Sequence, residues 1–514
     1  MNTIEQHYKL TQSLEHRKKF GQFYTLDRIA KFMVEWLLEM RPSQIYDPAF
    51  GMGAFYNEVK AICPELPYIG REVDDFSYSF YCKNTRPTAT LKLENQDYFD
   101  SWDEKYDAIV CNPPYLKFQK FENRHQVLDK LSDFIGEKVS GYTNTASAFL
   151  LKSIVELKDG GRLAYIMPLE FLNTGYGTQV KQKLLENGSI RKIIQITDEA
   201  NAFDEVLTTI CILFFEKNKS SNCVDFCKLT SVESMELDHC CTVDIQDLDP
   251  ASKWGSYFEP ANLKNVGIHQ DFVPLAFYGK FKRGIATGDN KFFTLSKNDV
   301  RRLMLAPEDI CHCITKSQQV GVPVFENKDF DNLVAGGESV YLFRPRIPVQ
   351  SDSAREYIDY GEATEVHKRY LTRKRSPWYS VEKREVAPIW FGVFSRDGFK
   401  VIRNKSNCLN LTCYHGFVPD TLARKYIDKL FLFLKSETGI AMLNTQKRVY
   451  GNGLTKLEPN DLLSVSVPSM EWFDALPEEF VNSELRYLSE HGKLSGNAQA
   501  VFGKFHSLKI SSVE

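Results

Sequence analysis

The apolar run Tyr106-Asp107-Ala108-Ile109-Val110-Cys111 leads directly into Asn112-Pro113-Pro114-Tyr115. The run reads as a strand. The two prolines that follow stiffen the backbone and remove its N–H donors. A strand ending this way is suited to holding a planar amino nitrogen by its two hydrogens. The Asn112 side-chain oxygen is one acceptor and the Pro113 carbonyl a second. Tyr115 adds a flat face for stacking on an aromatic ring. A nucleobase with an exocyclic amine fits this set; the plainer reading is a strand followed by a Pro-rich turn.

The residues around it alternate between strands and helices. Ala30–Met40 has an amphipathic helical pattern, and 44–46 is a short strand that enters Asp47-Pro48-Ala49-Phe50-Gly51-Met52-Gly53-Ala54-Phe55. Helical spacing recurs at 55–61, 146–157 and 180–185. Strands are expected at 68–73, 90–99, 106–111, 162–168, 192–196 and 208–215. Strands separated by helices imply an α/β fold with a mainly parallel, doubly wound sheet. The polar stretch Lys217-Asn218-Lys219-Ser220-Ser221-Asn222 suggests a boundary, giving domains 1–220 and 221–514.

A chain of 514 residues has room for two or three domains. No apolar run approaches the ~18 residues of a membrane span, and Met1–His7 lacks a signal peptide's apolar core, so a cytoplasmic protein is expected. The twelve cysteines show no paired zinc spacing, so reduced thiols and no metal site are expected. The net charge of −3 is unevenly spread. His367–Lys405 carries eleven Lys/Arg against three acids, a local +8 that leaves −11 elsewhere. Tyr370, Trp378, Tyr379, Trp390, Phe391 and Phe394 interleave with these cations. Basic plus aromatic is either a surface for a phosphate backbone and its bases or a solvated face over an ordinary core.

Asp47–Phe55 sits where a first strand gives way to a first helix. Gly51 and Gly53 let a ligand approach the backbone at the helix N-terminus. Glu72, at the end of the second strand, is placed to bind both hydroxyls of a ribose. Asp97, at the end of the third, is placed to accept a hydrogen bond from an adenine amine. Lone acids are most often surface or capping carboxylates. Three at successive strand ends beside glycines point instead to a nucleoside cofactor.

Together these motifs resemble the gamma class of S-adenosylmethionine-dependent DNA adenine-N6 methyltransferases. The resemblance implies a Rossmann-like class I methyltransferase domain with its last strand antiparallel, then an α+β target-recognition domain. Gly21-Gln22-Phe23-Tyr24-Thr25 resembles the upstream motif that meets the cofactor's methionine moiety, with Thr25 as the matching hydroxyl and Leu26 where the family usually has Pro. Asp47, Gly51, Gly53 and Phe55 match the cofactor loop, Glu72 the ribose acid, Asp97 the adenine acid, and Asn112, Pro113, Pro114 and Tyr115 the catalytic motif. In Ala202-Phe203-Asp204-Glu205-Val206, Phe203 matches the aromatic that meets the target base. The segments 282–293, 403–405 and 453–457 look like the family's recognition domain. Arg283, Arg373, Lys374 and Arg375 are the candidate substrate-binding cations.

The implied reaction is methyl transfer to N6 of an adenine flipped out of duplex DNA, with Tyr115 and Phe203 stacking on it. The layout is closest to stand-alone modification enzymes whose separate restriction endonuclease acts on the same site without a stable complex. Only ~20 residues precede the first motif, too few for a nuclease domain, so modification without cleavage is expected. Asn-Pro-Pro-Tyr also occurs in enzymes that methylate RNA or a protein glutamine amide. The ~290 residues after the core favour a large duplex ligand.

Overall fold

A computed structural model describes residues 3–86, 88–116, 123–197, 209–258, 271–396, 398–449 and 454–503. The chain divides into two compact units, Met1–Leu263 with Arg448–Gly453, and Lys264–Lys447 with Leu454–Glu514.

The first unit opens with helices α1 (Thr3–Thr11), α2 (Leu14–Phe20) and α3 (Asp27–Leu38). Strand β1 (Ile45–Asp47) is followed by α4 (Ala54–Ile62), β2 (Tyr68–Glu72), α5 (Asp75–Asn84), β3 (Leu91–Asn95) and β4 (Tyr106–Cys111). Then come α6 (Arg124–Ile135), α7 (Thr145–Glu156), β5 (Leu157–Pro168), α8 (Gly175–Asn187), β6 (Gly188–Ile196), β7 (Ile210–Lys217), β8 (Cys223–Leu229) and β9 (Leu237–Asp244). One nine-stranded sheet forms in the order β3-β2-β1-β4-β5-β7-β6-β8-β9. Pairing is parallel from β3 to β5, and β7 runs antiparallel to both β5 and β6.

The strands are apolar along their length because both sheet faces are covered. On β5, Leu163, Tyr165 and Met167 enter one core with the α6, α7 and α8 side chains. Ala164 and Ile166 enter the other, with Ile29, Met33 and Leu37 of α3 and Phe55 and Val59 of α4. In α3 the buried residues Ile29, Ala30, Met33, Val34 and Leu37 form a single stripe, the spacing expected of a helix laid on a sheet.

Three expectations are corrected here. The first unit does not stop near 220: β8 pairs parallel with β6, and β9 extends the edge antiparallel to β8. The polar stretch 217–222 is therefore a connection within the sheet, and β7 is not its last strand. Gln96–Phe99 is not strand; Asp97 caps a short 3-10 turn, Tyr98–Asp100, just beyond β3. Cys227 and Cys240 are joined by a disulfide rather than reduced.

The second unit is α+β. A five-stranded sheet takes the order 279–283, 414–419, 389–392, 401–404, 324–325, with the first four strands antiparallel in sequence of pairing. A four-stranded sheet joins 294–295, 341–343, 310–314 and 409–410. Helices Ile427–Lys435 and Glu478–His491 bury Leu430, Phe431, Leu434, Leu485 and Leu488 in the core behind the larger sheet. No helix among the described residues is long and apolar enough to cross a membrane.

Candidate active site

β1 is flanked by β2 on one side and β4 on the other, so the strand order reverses between β1 and β4. In open α/β sheets the crevice beyond the carboxyl ends at such a reversal is where ligands bind. The segments following β1, β2 and β4 all end there, and Gly21–Thr25 lies against the last of them.

The loop after β1 is shaped by its glycines. Gly51 (φ +57°) and Gly53 (φ +74°) are both left-handed. A Cβ on Gly51 would meet nothing within 4 Å, so the space above it is open. Gly51 N–H donates to Glu72 Oε2 at 2.9 Å, and Asp74 N–H donates to Glu72 Oε1 at 2.9 Å. Each oxygen keeps a further lone pair for a ligand. Burial pushes the Glu72 carboxyl up to about 7, against the pull of those two N–H donors.

Asp47 is fully buried and accepts hydrogen bonds from Ala49 N–H (3.1 Å) and the Tyr68 hydroxyl (3.0 Å). Burial raises it to about 7 as well. These contacts make Asp47 a brace for the loop, not a group offered to a ligand. Phe55 packs into the core under the loop, so its match to the cofactor motif reflects packing. Asp97 is half-buried and spends one oxygen on Phe99 N–H at 2.9 Å; burial raises its carboxyl.

At the end of β4 the Asn112 amide is held from two directions. Its Nδ2 donates to the Phe23 carbonyl (2.9 Å) and to Thr25 Oγ1 (3.1 Å). Its Oδ1 accepts from the Tyr115 hydroxyl at 3.1 Å. Both amide hydrogens are thus used, and Oδ1 retains one lone pair. The Pro113 carbonyl accepts no hydrogen bond among the described residues. The Tyr115 ring stacks on Phe23, with centroids 5.4 Å apart and planes 27° from parallel.

The backbone of the motif is pinned on both sides. Gly21 (φ +64°) lies so close that a Cβ would come within 3.0 Å of Tyr115 N. The Leu116 carbonyl accepts from both Thr145 N–H (3.1 Å) and Thr145 Oγ1 (3.0 Å) at the start of α7. The roles of Phe23, as ring partner and as an acceptor in the amide clamp, and of Asp74, as support for Glu72, are not legible from residue type. Asp74 had one readable signal, as a helix N-cap: it accepts from Phe76 N–H at 3.2 Å. Its other oxygen gathers His16, Gln22 and Ser77, which ties α2 and its following turn to α5.

Phe203 lies outside the described residues. In the second unit, Arg283 is exposed and paired with Glu458 at 2.9 Å. Arg373 and Lys374 are exposed and gather on the ring of Tyr370, with Lys374 Nζ 3.9 Å from its centroid. Arg375 differs: its guanidinium donates to the carbonyls of Thr287 and Ala286 and so buttresses a loop. Lys400 and Arg403 are likewise spent on backbone carbonyls or Asp428. Trp390 and Phe391 are core residues, whereas Tyr370 and Phe394 are exposed. The basic and aromatic stretch is therefore partly a surface and partly a core edge.

Comparison with known proteins agrees with this geometry. Residues 8–239 match the N-6 DNA Methylase family, and residues 252–492 match the C-terminal domain of Type II methyltransferase M.Eco57I. The chain is 36% identical over 477 residues to the Type II methyltransferase M.AccI of Acinetobacter calcoaceticus, covering 90% of this chain and 87% of that one. It is 22% identical over 505 residues to M.XamI of Xanthomonas campestris pv. amaranthicola, covering 90% and 88%. The Type IIL restriction-modification enzyme MmeI, solved in complex with DNA, shares the fold with a TM-score of 0.61 at 12% identity over 93% of this chain and 72% of that one. The order of its strands, the motif at its strand reversal and its likeness to M.AccI together place the chain in the N6-adenine DNA methyltransferases of restriction–modification systems.

Proposed function

We propose that the chain methylates N6 of an adenine flipped out of a specific duplex DNA sequence, using S-adenosylmethionine, and so shields that sequence from a cognate restriction endonuclease in the cytoplasm. The observation that carries the reading is the clamped Asn112 amide, which donates to Phe23 and Thr25 and keeps one Oδ1 lone pair beside the Tyr115 hydroxyl. A class I methyltransferase fold in an N6 DNA methylase family implies this cofactor. The donor set fits it. Glu72 has free lone pairs for two ribose hydroxyls, the open space at Gly51 admits a ligand against the backbone, and Asp97 has an oxygen left for an adenine amine. When bound, the cofactor supplies an electrophilic methyl on a sulfonium.

The chain's own part is positioning. The adenine N6 lone pair is delocalised into the ring, which makes the amine a poor nucleophile. Asn112 Oδ1 and the Pro113 carbonyl accept its two hydrogens, draw the nitrogen towards tetrahedral geometry and stabilise the positive charge that develops on it. Tyr115 trades its stack on Phe23 for one on the flipped base, worth about 1–3 kcal/mol against the few kcal/mol of unstacking. Phe203 is assigned the opposite face, and Thr25 the cofactor's methionine end as well as the Asn112 amide. Removing a preorganised group of this kind costs about 10²–10³ in turnover. Asn112→Ala is therefore expected to lose methyl transfer to duplex DNA by that factor while binding S-adenosylmethionine as before. Equal loss of both would remove Asn112 from its role, and transfer to RNA or to a protein glutamine in place of DNA would overturn the substrate.

A further inference from the structure

A cavity of about 240 Å³ opens on the second unit between two basic walls. Lys282, Arg283 and Gly284 supply one wall, at the end of strand 279–283. Lys383, Arg384 and Glu385 supply the other, just before strand 389–392. Four cations thus face one acid. Ligand pockets for larger organic molecules run from about 300 Å³ upward, so this space suits a small anionic group.

The cations are not all neutralised from within. Arg283 pairs with Glu458 and Arg384 with Glu382. Lys282 and Lys383 are exposed, and neither has an acid within 4.0 Å among the described residues. The walls are also tied together: Glu382 accepts Ala286 N–H at 3.3 Å, while Arg375 holds the Ala286 and Thr287 carbonyls. The pocket is therefore preformed, which lowers the ordering cost of binding.

We infer that this pocket seats a backbone phosphate of duplex DNA, with Lys282 and Lys383 closing on its oxygens. The inference rests on the reading of the chain as a DNA methyltransferase and adds a defined phosphate anchor to it. Such an anchor fixes register on the duplex without reading bases.

The test measures binding of the full-length protein to a duplex carrying its site as salt is varied, for wild type, Lys282→Gln/Lys383→Gln and a control, Lys328→Gln/Lys425→Gln, which alters two exposed lysines already paired with acids. Thermal unfolding checks that each variant folds. Each phosphate contact contributes about 0.9 to the slope of log affinity against log salt. The pocket variant is expected to be shallower by about 0.9, the contribution of one phosphate, and the control to match wild type. Between 50 and 200 mM salt, wild type then loses about three- to fourfold more affinity than the pocket variant. A folded pocket variant with the wild-type slope, or a control whose slope falls as much, would overturn the assignment while methylation of DNA by the wild type leaves the underlying reading standing. Failure of the wild type to methylate any duplex would instead overturn that reading and the anchor with it.

Discussion

In the proposed reaction Thr25 and Phe23 act through a single amide, that of Asn112. With Phe23 O and Thr25 Oγ1 both accepting from Asn112 Nδ2, the Asn112 side chain has one favoured orientation, and it is the one that leaves Oδ1 for the substrate. Thr25→Val keeps the shape and removes one acceptor. It is expected to lower kcat about 3–10-fold, the worth of one net hydrogen bond, and Thr25→Ser to restore it. If both variants turn over like wild type, the Phe23 carbonyl alone orients the amide. A second consequence concerns pH. The Glu72 carboxyl stands at about 7 in the folded chain, above its usual value, because it is buried. Between the ordinary carboxylate range and 7 it holds a proton that a ribose-binding carboxylate must release. Cofactor affinity is therefore expected to rise with pH, by up to tenfold per unit below about 7, and to level off above it. Calorimetry in buffers of different ionisation enthalpy will report the released proton, and Glu72→Gln should abolish that release. Release that persists in Glu72→Gln would assign it to Asp47, which burial raises to about the same value.

The same contrast between display and support operates across elements. The run from Arg373 to Arg375 reads as one basic cluster, yet the structure splits it. Arg373 and Lys374 stand on the exposed ring of Tyr370, while Arg375 is spent on the carbonyls of Ala286 and Thr287. Arg375→Ala is expected to loosen that loop, costing about 2 kcal/mol for hydrogen bonds to a charged donor. Hydrogen exchange across 284–290 will show it. The double change Arg373→Gln/Lys374→Gln should leave exchange there untouched, and acceleration in the double variant would mean the loop depends on the whole run. Charge counting could not separate these residues, because the distinction depends on which carbonyls lie within reach. By contrast, the strands of the first unit are legible from pattern. β4 lies at 106–111, where the apolar run places it, since a strand covered on both faces leaves no polar alternation. β8 escapes the pattern although Val224, Phe226, Cys227 and Leu229 are buried, because the polar connection before it resembles a linker.

At the scale of the whole chain, legibility follows the sequence distance of the contacts. In the first unit Gly51, Glu72, Asp97 and Asn112 lie at or just beyond the ends of β1, β2, β3 and β4, so motif order alone anticipates where they meet. Gly21, Phe23 and Thr25 reach the Asn112 loop from about ninety residues away, and only their motif resemblance points to the site at all. The second unit is built from strands of two to six residues, and 279–283 pairs with 414–419. No local periodicity records such a pairing. The sequence marks both walls of the basic pocket, Lys282 and Arg283 in the segment 282–293 and Lys383 and Arg384 in the basic stretch 367–405, but not that they face each other, because they come from different parts of the chain. The proposed reaction makes Asn112 necessary for N6 methylation of adenine in a defined duplex sequence. Single-molecule sequencing of DNA from cells expressing the chain, beside cells expressing Asn112→Ala, tests it most directly. One sequence motif is expected to carry N6-methyladenine with the intact chain and none with the variant. The same motif modified in both, or no modified motif from a folded protein that binds S-adenosylmethionine, would contradict it.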